Sequence, residues 1–197
     1  MPTISAAILA GGQSRRMGTD KSFILLEGRP ILEHVLSHVR TLELPTILIT
    51  NSPQQYSAYN LPIYTDILPG QGSLGGLYTA IQRSAADFTL CVACDMPFLN
   101  TALLRYLLGL CSADWDVIVP RIGGNLEAMH AIYNKTCLEP IQNQIMAGKL
   151  KASGFFDKVN VRYVEEDEIR QFDTALRSFI NLNTPDDLAA VDALNQG

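Results

Sequence analysis

At 197 residues, with 47% hydrophobic and 18% charged side chains, the chain has the balance of a globular protein with ample material for a core. A single domain over residues 1–197 is expected. The net charge of −5 argues against nucleic acid or an anionic membrane as partner, so an anionic ligand would need a local cationic pocket. No apolar run approaches the ~20 residues of a membrane span. Met1-Pro2-Thr3 lacks the basic start of a secretory signal, so a cytoplasmic location is expected.

Ile4 to Leu9 is an apolar run of strand length. It leads into Leu9-Ala10-Gly11-Gly12-Gln13-Ser14-Arg15-Arg16-Met17-Gly18-Thr19-Asp20-Lys21. Glycines let backbone N–H groups close on an oxyanion without a Cβ in the way. Arginines and a lysine bring charge suited to a polyphosphate. The P-loop pattern fails, because Met17 stands where its second glycine should be and Thr19 follows Gly18. The dinucleotide fingerprint fails because Gly11 and Gly12 are adjacent. From composition alone, an anion-binding loop and a structural turn both stand.

Pro30 is placed to open a helix whose apolar face is Ile31, Leu32, Val35, Leu36 and Val39. His34 and His38 lie one turn apart on its polar side; without a third ligand nearby, they read as a solvated edge. Thr46 to Thr50 is a β-branched strand ending at Asn51, and Ile63-Tyr64-Thr65 is a shorter one running into Asp66. Pro69 to Gly76 is glycine-rich and opens a helix with Leu77, Ala80 and Ile81 inward, which suits a flexible loop or a ligand-facing helix start.

Thr89 to Cys94 is apolar throughout, as in the buried centre of a parallel sheet, and ends at Asp95-Met96-Pro97. An acid at the carboxyl end of a central strand is where open α/β sheets place ligand chemistry. A helix cap is the alternative for Asp95, although Asn100 or Thr101 is better placed for capping. Cys91 and Cys94 are three apart on a strand and so point to opposite faces, which reads as core thiols.

Asp116 to Pro120 is the next strand, and Ala128 to Tyr133 its expected pairing partner across Gly123-Gly124-Asn125. Cys137, Ile141, Ile145 and Met146 outline a helix stopping at Gly148, and Val159 to Val164 an edge strand. Glu165-Glu166-Asp167-Glu168 reads as a solvated helix start. Phe179 to Asn183 is strand-like, and Thr184-Pro185-Asp186-Asp187 has the cap, proline and acids that begin a last helix.

The first motif meets every fixed position of the signature L-A-G-G-x-S-x-R-M-G-x-D-K and so resembles the molybdenum cofactor guanylyltransferases, the MobA family. Three later segments are similar to family motifs in the same order. They are Thr65-Asp66 with Pro69 to Gly76, Cys94 to Leu99, and Asn181 to Pro185. Ser73 replaces a family proline, and Ala128-Met129 replaces a proline-leucine pair before His130, so acceptor recognition is less well matched than nucleotide recognition.

The resemblance implies an α/β fold: a three-layer α/β/α Rossmann-like nucleotidyltransferase with a mostly parallel central sheet. It implies GMP transfer from GTP to molybdopterin, with pyrophosphate released and Mg²⁺ as cofactor. Cofactor-delivery or molybdoenzyme proteins would be further partners. Carried across, Leu9, Ala10, Gly11, Gly12, Lys21, Asn51, Asp66 and Asp95 bind nucleotide. Arg16, Lys21 and Asp95 would be catalytic, and Asp95 the metal ligand. A cytidylyltransferase or another nucleotidyltransferase of this fold is the rival, against which Gly11 and Asp20 count. A non-catalytic nucleotide-binding or cofactor-handover protein is the alternative of another class.

Overall fold

The computed structural model describes residues 2–11 and 20–182, together with Asp187. Gly12, Arg16, Asn183 and the expected final helix lie outside the described residues, apart from Asp187 itself.

β1 (Ile4–Leu9) is followed by a short hairpin of β2 (Leu25–Leu26) and β3 (Arg29–Pro30), then α1 (Ile31–Arg40). β4 (Thr46–Ile49), β5 (Ile63–Tyr64), α2 (Gly72–Arg83), β6 (Phe88–Ala93) and α3 (Thr101–Gly109) come next. β7 (Val117–Ile122), β8 (Asn125–Leu126), β9 (His130–Asn134), α4 (Leu138–Met146), β10 (Val161–Glu165) and α5 (Glu166–Ile169) complete the series.

The main sheet is eight-stranded, in the order β10-β7-β9-β6-β1-β4-β5, with β8 attached to β7. β1 pairs parallel with both β4 and β6, β4 with β5, and β10 with β7. Only β9 and β8 run the other way, β9 being antiparallel to both β6 and β7. The expected partnership of β7 and β9 is therefore present, and β9 also inserts between β7 and β6. β10 is an edge strand, as its alternation suggested.

Alternation along the strands divides the core into two layers. Ala6, Ile8, Leu90 and Val92 face α1 and α3, packing on Leu32, Leu36, Leu103 and Leu107. Ala7 and Cys91 face α2 and α4, packing on Leu74, Leu77 and Ile141. Helices thus cover both faces of a mostly parallel sheet, the three-layer α/β/α arrangement. Cys91 and Cys94 fall in opposite layers, so they cannot act as a pair.

Three local readings need correction. α4 ends at Met146, which is 78% exposed, two residues before the expected stop at Gly148. Arg177–Phe179 forms a 3-10 turn, and Ile180 to Leu182 joins no strand; Leu182 instead donates its N–H to the Asp95 carbonyl at 2.9 Å. The acidic run does start a helix, with a capping box between Glu165 and Glu168. Yet Glu168 is no solvated bystander, because Arg162 and the Tyr106 hydroxyl (2.7 Å) both bond to it.

Candidate active site

A parallel sheet offers ligands its carboxyl edge at the point where strand order reverses. Here the chain leaves β1 for β4 and β5 on one side and returns to β6 on the other. Backbone ladders run right up to that edge. Ala10 N–H donates to Ile49 O at 2.8 Å, Cys94 N–H to Leu9 O at 3.0 Å, and Ala93 N–H to Met129 O at 2.9 Å. Beyond the last rungs a cleft of about 650 Å³ opens.

Every described residue of the expected nucleotide set lines this one cleft: Leu9, Ala10, Gly11, Lys21, Asn51, Asp66 and Asp95. Residues far apart in sequence meet because β1, β4, β5 and β6 all end here. Gly11 has φ +111°, a conformation that a side chain resists, and an added Cβ would stand 3.4 Å from Thr50 Oγ1. Gly76, in the first turns of α2, faces Leu9: an added Cβ would lie 3.1 Å from Leu9 Cδ2 and 3.8 Å from Asp66 Oδ1. From Gly72 onward the glycine-rich segment is the first part of α2, and Gly70, Gly72, Ser73 and Gly76 line the cleft.

Asn51 and Asp66 form a reciprocal pair across β4 and β5. The Asn51 amide donates to Asp66 Oδ2 at 2.8 Å, and the Asp66 N–H donates to Asn51 Oδ1 at 3.1 Å. The other Asp66 oxygen, Oδ1, faces Gly76. On the opposite wall, Asp95 is half-buried. Burial raises its carboxyl pKa, while the Lys21 charge and a backbone N–H pull it down. Asn100 caps α3, accepting from Leu103 N–H at 3.0 Å, so Asp95 is free of that task. Lys21 opens a 3-10 turn that Asp20 caps.

Magnesium has little preformed cage to enter. Among the described residues no cluster of three His, Cys, Asp or Glu side chains could hold a metal. Mg²⁺ usually takes one or two carboxylates and draws its other ligands from water and substrate phosphates. A single carboxylate at Asp95, on the cleft wall beside Lys21, fits that donor set.

Asp20, which the sequence reading singled out without giving it a site role, lies on the cleft wall, as do Thr50, Cys94 and Met129, to which it gave none. Asp20 had a signal, since it is a fixed position of the first motif. Met129 had none, because it arrives from the antiparallel β9. His34 and His38 do not form a solvated edge: both are half-buried, and His34 Nε2 lies 2.9 Å from Leu26 O. Asn181 donates to Phe179 O at 3.4 Å and is not among the residues lining the cleft.

A second cleft of about 670 Å³ lies at the opposite edge, beside Asp116 and Val159, which precede β7 and β10. Its lining mixes Lys149 and Lys158 with Asp116, Glu139 and Asp157, and Lys158 pairs with Asp157 at 2.9 Å. One ion pair, Lys158–Asp157, lies on this cleft, whereas the carboxyl-edge cleft gathers glycines, a lysine and three carboxylates.

Residues 6–161 match the model of the MobA-like NTP transferase domain. The chain belongs to the MobA-like NTP transferase family. It is an enzyme of the nucleotidyltransferase class. A molybdenum cofactor guanylyltransferase of Desulfosudis oleivorans is 31% identical over 98% of this chain and 96% of its own. A probable molybdenum cofactor guanylyltransferase of Natranaerobius thermophilus is 33% identical over 94% and 93%. The crystal structure of molybdopterin-guanine dinucleotide biosynthesis protein A from Archaeoglobus fulgidus superposes with a TM-score of 0.84 at 28% identity, covering 98% of both chains. A 4-diphosphocytidyl-2C-methyl-D-erythritol synthase from Anaerococcus prevotii shares the fold, with a TM-score of 0.71 at 17% identity over 100% of this chain and 97% of that one. Among the described residues no helix is long and apolar enough to cross a membrane.

Proposed function

We propose that this chain transfers GMP from GTP to the terminal phosphate of molybdopterin, releasing pyrophosphate and giving the guanine dinucleotide cofactor. The observation that carries the reading is convergence. All described members of the expected nucleotide set line one cleft at the carboxyl edge of the sheet. The relatives named as guanylyltransferases match nearly the whole chain.

The pterin phosphate must approach the α-phosphorus of GTP in line with the departing pyrophosphate. Both partners are anionic, so the protein must offset charge and fix orientation before they meet. Gly11 lets the backbone close on the nucleotide. Asn51 and Asp66, already aligned by their mutual hydrogen bonds, hold the nucleotide from the β4–β5 side. Lys21 and Arg16 place positive charge along the triphosphate. Asp95, lying on the opposite wall, would hold Mg²⁺, which when bound offsets phosphate charge and stabilises the pyrophosphate leaving group. No covalent enzyme intermediate is needed.

The test is turnover with GTP, CTP, ATP and UTP, each with Mg²⁺ and molybdopterin. A guanine-reading site leaves buried polar groups unpaired when another base enters, so GTP should be favoured by ~10²-fold or more. Equal use of GTP and CTP would remove the guanylyl assignment.

A further inference from the structure

Tyr56 is among the largest side chains with no exposed surface, and it nevertheless carries a hydroxyl into the core. Its ring is held by apolar contact, with the Phe23 ring at 5.0 Å and the Tyr59 ring at 6.5 Å. Packing alone would be served by phenylalanine. The hydroxyl instead reaches two residues that flank Lys21. Tyr56 Oη donates to Asp20 Oδ2 at 2.6 Å and lies 2.8 Å from Ser22 Oγ. Asp20 Oδ1 in turn accepts the Ser22 N–H at 3.0 Å, closing a ring around the start of the turn that bears Lys21.

The same network reaches the opposite wall. Ser22 Oγ is 3.2 Å from Cys94 Sγ, and Cys94 lines the same cleft as Gly11. Cys94 is the residue immediately before Asp95. One chain of hydrogen bonds therefore ties the residues on both sides of Lys21 to the residue that follows β6. We propose that Tyr56 is a positioning residue for nucleotidyl transfer, its hydroxyl fixing the Lys21 turn against the Cys94–Asp95 end of β6. Tyr56 touches no substrate; it acts through Lys21, and the inference rests on the nucleotide role given to Lys21 above.

A positioned cation loses effect steeply with displacement, since misplacement by about 1 Å can cost about 10²-fold. The experiment is a double-mutant cycle of Tyr56→Phe and Lys21→Ala, reading kcat and KM for GTP with Mg²⁺ and molybdopterin. Thermal unfolding of each variant serves as control. Tyr56→Phe alone should lower kcat/KM by about 10-fold, whereas in the Lys21→Ala background it should lower it by less than about 2-fold. Ser22→Ala removes the other flanking hydroxyl and should repeat the pattern, which covers the case in which Tyr56→Phe fails to fold. Equal losses in both backgrounds would show a merely structural tyrosine and overturn the proposal, as would full activity in Tyr56→Phe. A fully active Lys21→Ala enzyme would instead bring down the role of Lys21, and the positioning role with it.

Discussion

The parallel half of the sheet, β5-β4-β1-β6, and the half containing β9, β7 and β10 differ in where they place their charged groups. In the second half, three ion pairs surround β7, β10 and α5. Arg121 pairs with Glu165, Arg162 with Glu168, and Arg170 with Glu166. Asp116 accepts from Thr136 and from the Asn160 N–H. In the parallel half, Asp66, Lys21 and Asp95 gather at the mouth of an open cleft. Buried or half-buried charge costs free energy unless matched. Ion pairs tie elements together in the second half, whereas in the parallel half charged groups line a cleft wide enough for a ligand. Cleft size does not make this distinction, since the cleft at the amino edge of β7 and β10 is slightly the larger.

The sharpest way to break this contrast is Asp95→Asn. Transfer should fall by ~10²-fold or more, because a metal's charge stabilisation is worth several kcal/mol. Folding should survive and could only gain. Burial raises the Asp95 pKa, so the fold disfavours the ionised form and a neutral isostere relieves that cost at neutral pH. Dinucleotide formation measured against Mg²⁺ concentration, with thermal unfolding alongside, reads both effects. Normal rate and normal Mg²⁺ dependence would remove Asp95 from the mechanism.

A second expected effect concerns stability in acid. His130 is fully buried on β9, its ring 4.8 Å from that of Phe179. Burial lowers its pKa to about 4, against opposing pulls from the Ser178 backbone and Asp173. Below the ordinary value near 6.5 the unfolded chain takes up a proton that the folded chain refuses. Stability should therefore fall as pH drops from about 6.5 to about 4, by roughly 3 kcal/mol from this residue. Urea unfolding across that window should show a shallower loss for His130→Leu than for wild type; parallel curves would assign the acid limb to other groups.

Lys21→Ala tests the cation on the cleft wall, and Arg16→Ala the second cation of the first motif. Each should cost ~1.5–3 kcal/mol in kcat/KM for GTP, the worth of a charge-assisted phosphate contact. Wild-type efficiency in both would reduce the first motif to a turn. The smallest effect belongs to the internally matched half. Burial pushes the Glu168 pKa up, but hydrogen bonds from Arg162, the Glu165 N–H and Tyr106 outweigh it and leave it lowered. Glu168→Gln should cost about 1 kcal/mol of stability and leave GTP turnover unchanged. A loss of turnover at equal stability would blur the boundary between the two halves.

Much of the parallel half was legible before the fold was known, because its signals are local. Alternation and apolar runs marked β1, β4 and β6, and four candidate site residues each stand two positions beyond a strand: Gly11, Asn51, Asp66 and Asp95. The clamp under Lys21 was not legible. Ser22 and Tyr56 are 34 residues apart, and Ser22 and Cys94 are 72 apart, so no window of sequence contains the pattern. Ile180 to Leu182 looked like a strand because β-sheets and buried extended segments favour the same apolar residues. One backbone hydrogen bond to Asp95 takes the place of a ladder there.

The reversed direction of β9 has an evolutionary consequence. A parallel neighbour would have brought its end to the active edge and sent its preceding connection to the other side. β9 enters the sheet at that edge, so the link from Ile122 to His130 forms part of the rim, with Met129 on the wall itself. Residues inserted or exchanged in this link can reshape one side of the cleft without shifting Gly11, Lys21, Asn51, Asp66 or Asp95. The architecture thereby separates the wall built by β1, β4, β5 and β6 from a rim whose length and chemistry can vary independently.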